Sequence, residues 1–359
     1  MIDKKVIENF LRSNGLDAML LSNQSDIAHL TSFHSFSPTE RDAFVLVTAK
    51  DRFLFTNPLY ITEVKESVKN VEIIEHSGDN NFFKNLAEIV AKNRLQNIGF
   101  ENDNITVAEY LRLTTAITSH LIAKDFSQVR IQKSPAEIKS ITRACEIGDK
   151  SFELIKPFLK PGITELGLAW ELEKCIRESG VELSFPTIVA FGANSAMPHH
   201  RPNSTKLNTR DTVLLDFGSK TDGYCSDMSR TLFIGEPTKH QKSVYEAVLQ
   251  AQREAVNFLQ KELRIINKDG IKASDVDKVA REYLVSKGYP SIPHSLGHGI
   301  GLDVHEAPRI SPSSHDYLTE GMVFSIEPGV YLEGKFGVRI EDLYSIQDNK
   351  LIQLTHSAV

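Results

Sequence analysis

At 359 residues the chain exceeds one average domain, and a prior of about 150 residues per domain suggests two. Its 41% hydrophobic and 25% charged residues suit a folded globular protein and exclude a disordered, collagen-like or coiled-coil chain. A net charge of −6 offers no basic field to phosphate backbones, which disfavours nucleic acid as a partner, and no apolar run approaches the roughly 20 residues that span a bilayer. The first ten residues are charged and helix-like with no apolar stretch behind them, unlike a secretory signal. Cys145, Cys175 and Cys225 are too few and too scattered for a disulfide framework or a Cys-x-x-Cys metal site. The expected compartment is the cytoplasm.

The first third alternates strand and helix patterns. Asp3 to Ser13 has helical spacing, and Ala18–Ser22 is a short apolar strand. Ala43–Val47 and Phe53–Thr56 read as paired strands around Ala49-Lys50-Asp51. Asn57-Pro58 breaks the second of these. Val71–Glu75, a helix over 82–93 and Ile98–Phe100 continue the α/β pattern, and a helix from Val107 to Ala123 would close the unit. His29, His34 and His76 stand isolated, as solvated or core histidines usually do.

From Ser134 the pattern changes. Ser134-Pro135-Ala136-Glu137 combines a helix cap, a proline at the first helical position and an acidic first turn. The boundary therefore falls within 124–134, with 1–128 as the first domain and 129–359 as the second. The second domain carries an internal repeat. Gly162–Gly180 and, 108 residues later, Gly270–Gly288 both open Gly-Ile and both end in a glycine suited to a helix C-terminus. Leu168 matches Val276, Leu172 matches Ala280 and Ile176 matches Leu284.

Four stretches then carry chemistry. Val213–Leu215 is a buried-strand pattern ending on Asp216, Asp222-Gly223 is a turn signal, and Cys225–Phe233 is a second strand. A hairpin about that turn sets Asp216 opposite Ser229 and puts Asp227 on the same face, two like charges in conflict unless a cation lies between them. His294–Pro308 (HSLGHGIGLDVHEAP) places His294, His298 and His305 within twelve residues, with glycines flanking His298. In Val323–Gly329 (VFSIEPG) Ser325 and Glu327 share one face. In Gly337–Asp342 (GVRIED) Arg339 and Glu341 share one face. Each acid taken alone would suit a solvated strand edge.

Taken together, the ordered set Asp216, Asp227, His298, Glu327 and Glu341 with its flanking motifs resembles the pita-bread-fold metallopeptidases, and within them the Xaa-Pro peptidases. The match covers about residues 135–356. It implies a small N-terminal α/β domain of ribonuclease H-like type, then a pita-bread catalytic domain with a pseudo-repeat, an α/β (α+β) fold overall. It further implies that the five residues hold two divalent ions, manganese or cobalt, with Asp227 and Glu341 bridging. An oxygen-rich set with one imidazole and no thiolate suits those ions better than structural zinc. By the same resemblance Glu327 doubles as general base, and His199 and His305 steady the oxyanion and pass protons. His294 lies nearer the proline pocket, and Arg339 orients ligands. His200, beside His199, is the competing match. Arg309 resembles an arginine that some prolidases place near the substrate carboxylate, which favours Xaa-Pro dipeptides over the longer peptides of aminopeptidase P. Thr56-Asn-Pro-Leu-Tyr60 departs from the Asp-x-Arg-Tyr of relatives. Methionine aminopeptidases lack such a first domain, and creatinase does not use the metals. A non-catalytic binding module would have ligand positions replaced, and none is replaced here. The expected partners are a small peptide with proline second and another copy of the chain, with no nucleic acid and no membrane.

Overall fold

The computed structural model describes residues 4–37, 39–78, 81–265 and 270–359 and divides into two compact units, Met1–Arg130 and Ile131–Val359. Among the described residues no helix is long and apolar enough to cross a membrane.

The first unit is built on one six-stranded sheet. Its strands are β1 (Ala18–Leu21), β2 (Ala43–Thr48), β3 (Arg52–Thr56), β4 (Glu72–Glu75), β5 (Asn97–Glu101) and β6 (His120–Lys124), in the spatial order β4-β3-β2-β1-β5-β6. Only β2 runs against its neighbours, and the β1–β5, β5–β6 and β3–β4 pairs are parallel. Helices α1 (Lys4–Ser13), α2 (Gln24–Thr31), α3 (Ile61–Ser67), α4 (Phe82–Asn93) and α5 (Val107–Ala116) accompany it. Two separate apolar clusters, one around Met19, Val45 and Leu54 and one around Leu20, Phe44 and Phe55, show alternate strand residues buried on both faces. The expected helix at the N-terminus forms from Lys4, and Asp3 lies outside the described residues.

One expectation fails here. The helix expected to run from Val107 to Ala123 stops at Ala116, and His120–Lys124 forms the edge strand β6 beside β5. Ile117 is already extended. An unpaired parallel edge at β5 offers a full ladder of hydrogen bonds to His120–Lys124, and that tertiary gain outweighs continuing a helix with few apolar anchors. Helices α2 and α3, absent from the sequence pattern, are too short to show a period. The first is capped by Asn23, whose side chain accepts from the Ser25 and Asp26 amides.

The second unit is built twice from the same parts. α6 (Pro135–Ile155) precedes α7 (Glu165–Glu178), and α8 (Lys239–Leu263) precedes α9 (Ala273–Ser286). α7 and α9 have the same length and lie 108 residues apart at both ends. α6 opens on the expected capping box, Ser134 with Glu137. Each helix pair is followed by strands. The first copy supplies Met228–Phe233, Thr212–Phe217 and Ile188–Phe191 in one sheet. The second supplies Glu306–Ile310, Gly297–Gly299, Val323–Ile326, Asp342–Gln347 and Lys350–Gln353 in another. The Gly329–Leu332 and Phe336–Arg339 strands pair as a hairpin, with Gly329 opposite Arg339.

Candidate metal centre and active site

The first acid pair is set by the hairpin about Asp222-Gly223. Both turn residues have positive φ, 52° and 82°, which is the primed turn that matches strand twist. Asp216 pairs with Ser229 as the turn position predicts. The second arm is not one strand from Cys225 to Phe233, however. It breaks at Ser226-Asp227, between Tyr224–Cys225 and Met228–Phe233. A Cβ on Gly218 would lie 1.9 Å from the Ser226 carbonyl oxygen, so glycine is what lets the chain kink there. Asp227 therefore projects from the kink, close enough to Asp216 for the two carboxylates to repel each other.

The second acid pair comes from the other sheet. Ile326 pairs with Asp342, which brings Glu327 and Glu341 to the same end of that ladder. The Glu341 amide donates to the Ser229 carbonyl at 3.1 Å, joining the two copies where all four acids meet. His298 Nε2 lies 3.3 Å from Glu327 Oε1 and 3.8 Å from Asp227 Oδ2. One ligand atom from each of Asp227, His298 and Glu341 falls within a 4.8 Å span.

A single cavity of about 560 Å³ is lined by Asp216, Asp227, His298, Glu327, Glu341, His199, His305, Arg339, His294 and Arg309, every residue the sequence singles out. His199 and His200 part company. His199 faces this cavity, whereas buried His200 turns to Glu165, 2.8 Å away. Arg309 is exposed on the cavity wall and donates from Nε to Ser295 Oγ at 2.8 Å. His305 stands edge-on to His298, with ring centres 4.3 Å apart.

The electrostatics describe a cluster short of positive charge. Burial, then the facing Glu341, Asp216 and Glu327, push Asp227 well above the ordinary carboxylate range. Burial, then Glu327 and Asp216, do the same to Glu341, and burial raises Asp216 against the pull of Arg339. Burial works to raise Glu327 as well, but His298, His294 and Arg339 overcome it and hold this carboxyl below its usual value. Burial disfavours a charged His298, yet Glu327 and Glu341 prevail and raise it to about 9. Burial lowers His294, and burial with His298 lowers His305, so both rings are neutral near pH 7.

Several supporting residues carry no signal in the sequence. Buried Ser229 accepts from Arg339 Nε and donates to Glu341 Oε2, both at 2.7 Å. Arg339 Nη2 donates to Asp216 Oδ2 at 2.6 Å, and its Nη1 donates to the Tyr331 hydroxyl at 2.9 Å. His294 Nδ1–H donates to the Ser295 carbonyl at 2.7 Å, which leaves Nε2 to accept from Tyr331 at 2.9 Å. Arg230, fully buried, donates to the Glu341 carbonyl at 2.6 Å and to Asp342 at 2.5 Å.

Against this network, Asp216 Oδ1, Asp227 Oδ1 and Glu341 Oε1 are buried oxygens with no hydrogen-bond partner among the described residues. Three orphaned acceptors converging on one imidazole and one further carboxylate fit divalent cations, the group that removes both repulsion and desolvation cost at once. The two-domain fold and this centre are those of a metallopeptidase. The chain belongs to metallopeptidase family M24, whose model matches residues 139–348, and a creatinase/prolidase N-terminal domain matches residues 5–131. It is 33% identical over 356 residues to the uncharacterized peptidase YqhT of Bacillus subtilis, covering 98% of this chain and 97% of that one. Among solved structures it is similar to an Xaa-Pro dipeptidase from Bacillus anthracis, with TM-score 0.90 and 33% identity over 99% of this chain and 97% of the other. An X-Pro aminopeptidase from Thermotoga maritima has TM-score 0.84 and 33% identity, covering 97% of this chain and 98% of that one. The prolidase from Pyrococcus furiosus has TM-score 0.84 and 30% identity, covering 98% and 99%.

Proposed function

We propose that the chain is an Xaa-Pro dipeptidase using two divalent ions, manganese or cobalt, with 129–359 as catalytic domain and 1–128 preceding it. The observation that carries this reading is the set of orphaned buried oxygens on Asp216, Asp227 and Glu341 in one cavity with His298 and Glu327. Four carboxylates bring −4 and two dications +4, so the filled centre is near neutral. Asp227 and Glu341, whose ligand atoms cluster with that of His298, would hold the ions together with Asp216 and Glu327. When bound, such ions acidify a water and polarise the scissile carbonyl.

The protein groups do the rest. Glu327, held ionised by its neighbours, takes the proton of the attacking water on its carboxylate. His305 and His199, on the cavity wall, donate N–H groups to the oxygen that develops charge, and they relay the proton taken up by Glu327 to the leaving imide nitrogen. Arg339 fixes Asp216 and, through Ser229, Glu341. His294, with both ring nitrogens committed, serves as a fixed wall for the proline ring rather than as a proton donor. Arg309 pairs with the substrate's terminal carboxylate, which selects dipeptides.

Removing metal with a chelator should abolish hydrolysis of an Xaa-Pro dipeptide, and manganese or cobalt should restore it; turnover indifferent to metal overturns the reading. A second reading, aminopeptidase P activity on longer peptides, is favoured by the likeness to the Thermotoga enzyme. Rates on Xaa-Pro and Xaa-Pro-Xaa peptides separate the two, and equal rates dismiss the role given to Arg309. A cytoplasmic homodimer is the expected form, and sedimentation of the purified chain tests the dimer.

A further inference from the structure

His199 makes no hydrogen bond among the described residues, so its place on the cavity wall is set by the residues on either side. On one side the Pro198 carbonyl accepts from Arg339 Nη1 at 3.3 Å. On the other, His200 Nε2–H donates to Glu165 Oε2 at 2.8 Å. Glu165 is fully buried in the first turn of α7, and its carboxylate has three more donors. Oε1 accepts from the Phe191 amide at 2.8 Å and from Asn194 Nδ2 at 2.9 Å, and Oε2 accepts from the Asn203 amide at 3.1 Å. These partners lie at both ends of the stretch from 191 to 203, so one carboxylate closes the loop that carries His199.

The internal repeat shows that the backbone junction at this position forms without this acid. The position 108 residues later is Ala273, and its amide donates to the Asp316 carbonyl at 2.9 Å, just as the Glu165 amide donates to the Thr205 carbonyl at 3.0 Å. The backbone junction is the same with an alanine in place. The second copy uses a different acid for its own histidine. Buried Asp277 accepts from the Leu296 amide at 3.2 Å and pairs with Arg281, which donates to the His294 carbonyl at 3.0 Å. A buried carboxylate is costly unless its acceptor sites are filled, and in each copy at least one donor to it belongs to a segment bearing a cavity histidine.

We propose that Glu165 is the positioning residue for His199, clamping the 191–203 loop so that the imidazole meets the substrate. This rests on the oxyanion role given to His199 above. The test uses the manganese-loaded full chain and the variants Glu165→Gln, His199→Ala and both together. Glu165→Gln should lower kcat on an Xaa-Pro dipeptide by about 10–100-fold, the range for supporting residues of such sites, with manganese affinity by calorimetry within about twofold. Amide exchange across 192–203 should quicken while that of α7 stays slow. In the His199→Ala background the same change should cost less than about twofold, because both act through one group. Multiplying losses in the double variant, or unchanged exchange and kcat in Glu165→Gln, overturn the proposal. Should Glu165→Gln fail to fold, His200→Gln, which leaves three of the four carboxylate partners, takes its place in the same comparisons. Wild-type turnover in His199→Ala overturns the role given to His199, whereas a loss there with none in Glu165→Gln overturns this proposal alone.

Discussion

Asp227 is buried among Asp216, Glu327 and Glu341, and one of its oxygens meets no protein donor. Its charge is therefore a cost to the metal-free fold, one that a bound cation would remove. Asp227→Asn should make the stripped protein more stable than wild type at pH 8, by on the order of 1 kcal/mol. On the proposed function, manganese should stabilise the wild type by about 2.7 kcal/mol at a hundredfold excess over Kd, and the same change should erase that gain. Thermal melts with and without metal read both signs, and a stripped variant less stable than wild type would contradict the charge argument. The acids and His298 were legible because they lie in short motifs with strand alternation. Ser229 and Tyr331 were not. Ser229 works by touching Glu341, 112 residues on, and Tyr331 by linking Arg339 to His294. A lone serine or tyrosine announces no such partner.

At the scale of elements, two close approaches place the candidate ligands. Gly218 admits the Ser226 carbonyl, and Gly297 admits that of Ser325, 1.9 Å from where a Cβ would sit. Since the obstacle is backbone on the strand preceding Glu327, Gly297→Ala must push the His298 and Glu327 strands apart. It should destabilise the chain by about 1–3 kcal/mol and weaken manganese binding, measurable by urea unfolding and calorimetry; a variant with wild-type values for both would refute the steric reading. The hairpin register was readable from the turn residues alone, because a two-residue turn dictates every pairing above it. The kink at Ser226-Asp227 was not, since it answers to the bare backbone of Gly218 on the opposite arm. Likewise the Val107–Ala123 pattern could not reveal that its last residues complete a sheet edge.

Across the whole molecule each of the two units holds buried acids. In the first, Glu101 Oε2 accepts from the Ser22 and Asn23 amides at 2.6 and 2.7 Å. Burial, then the facing Asp26, raise its carboxyl from 4.5 to about 8. Between those values the folded chain keeps a proton that the unfolded chain has released, so this group's contribution is complete below pH 4.5 and fades as pH approaches 8. Glu101→Gln should thus gain on wild type from pH 5 to pH 8, by at most about 1.4 kcal/mol per pH unit. Urea unfolding at the two pH values checks this, and a difference independent of pH would mean Glu101 titrates normally.

The amino-acid order by itself determined the α/β character, the repeat, the hairpin register and which acids and histidines stand as candidates, because each is written in short local motifs. Only the tertiary structure decided that ten residues from both copies share one cavity, that His199 rather than His200 faces it, and which oxygens are left without partners. Those facts depend on contacts between residues distant in the chain, 35 positions for His200 with Glu165 and 112 for Ser229 with Glu341, where packing and desolvation, rather than local spacing, choose each side chain's neighbours.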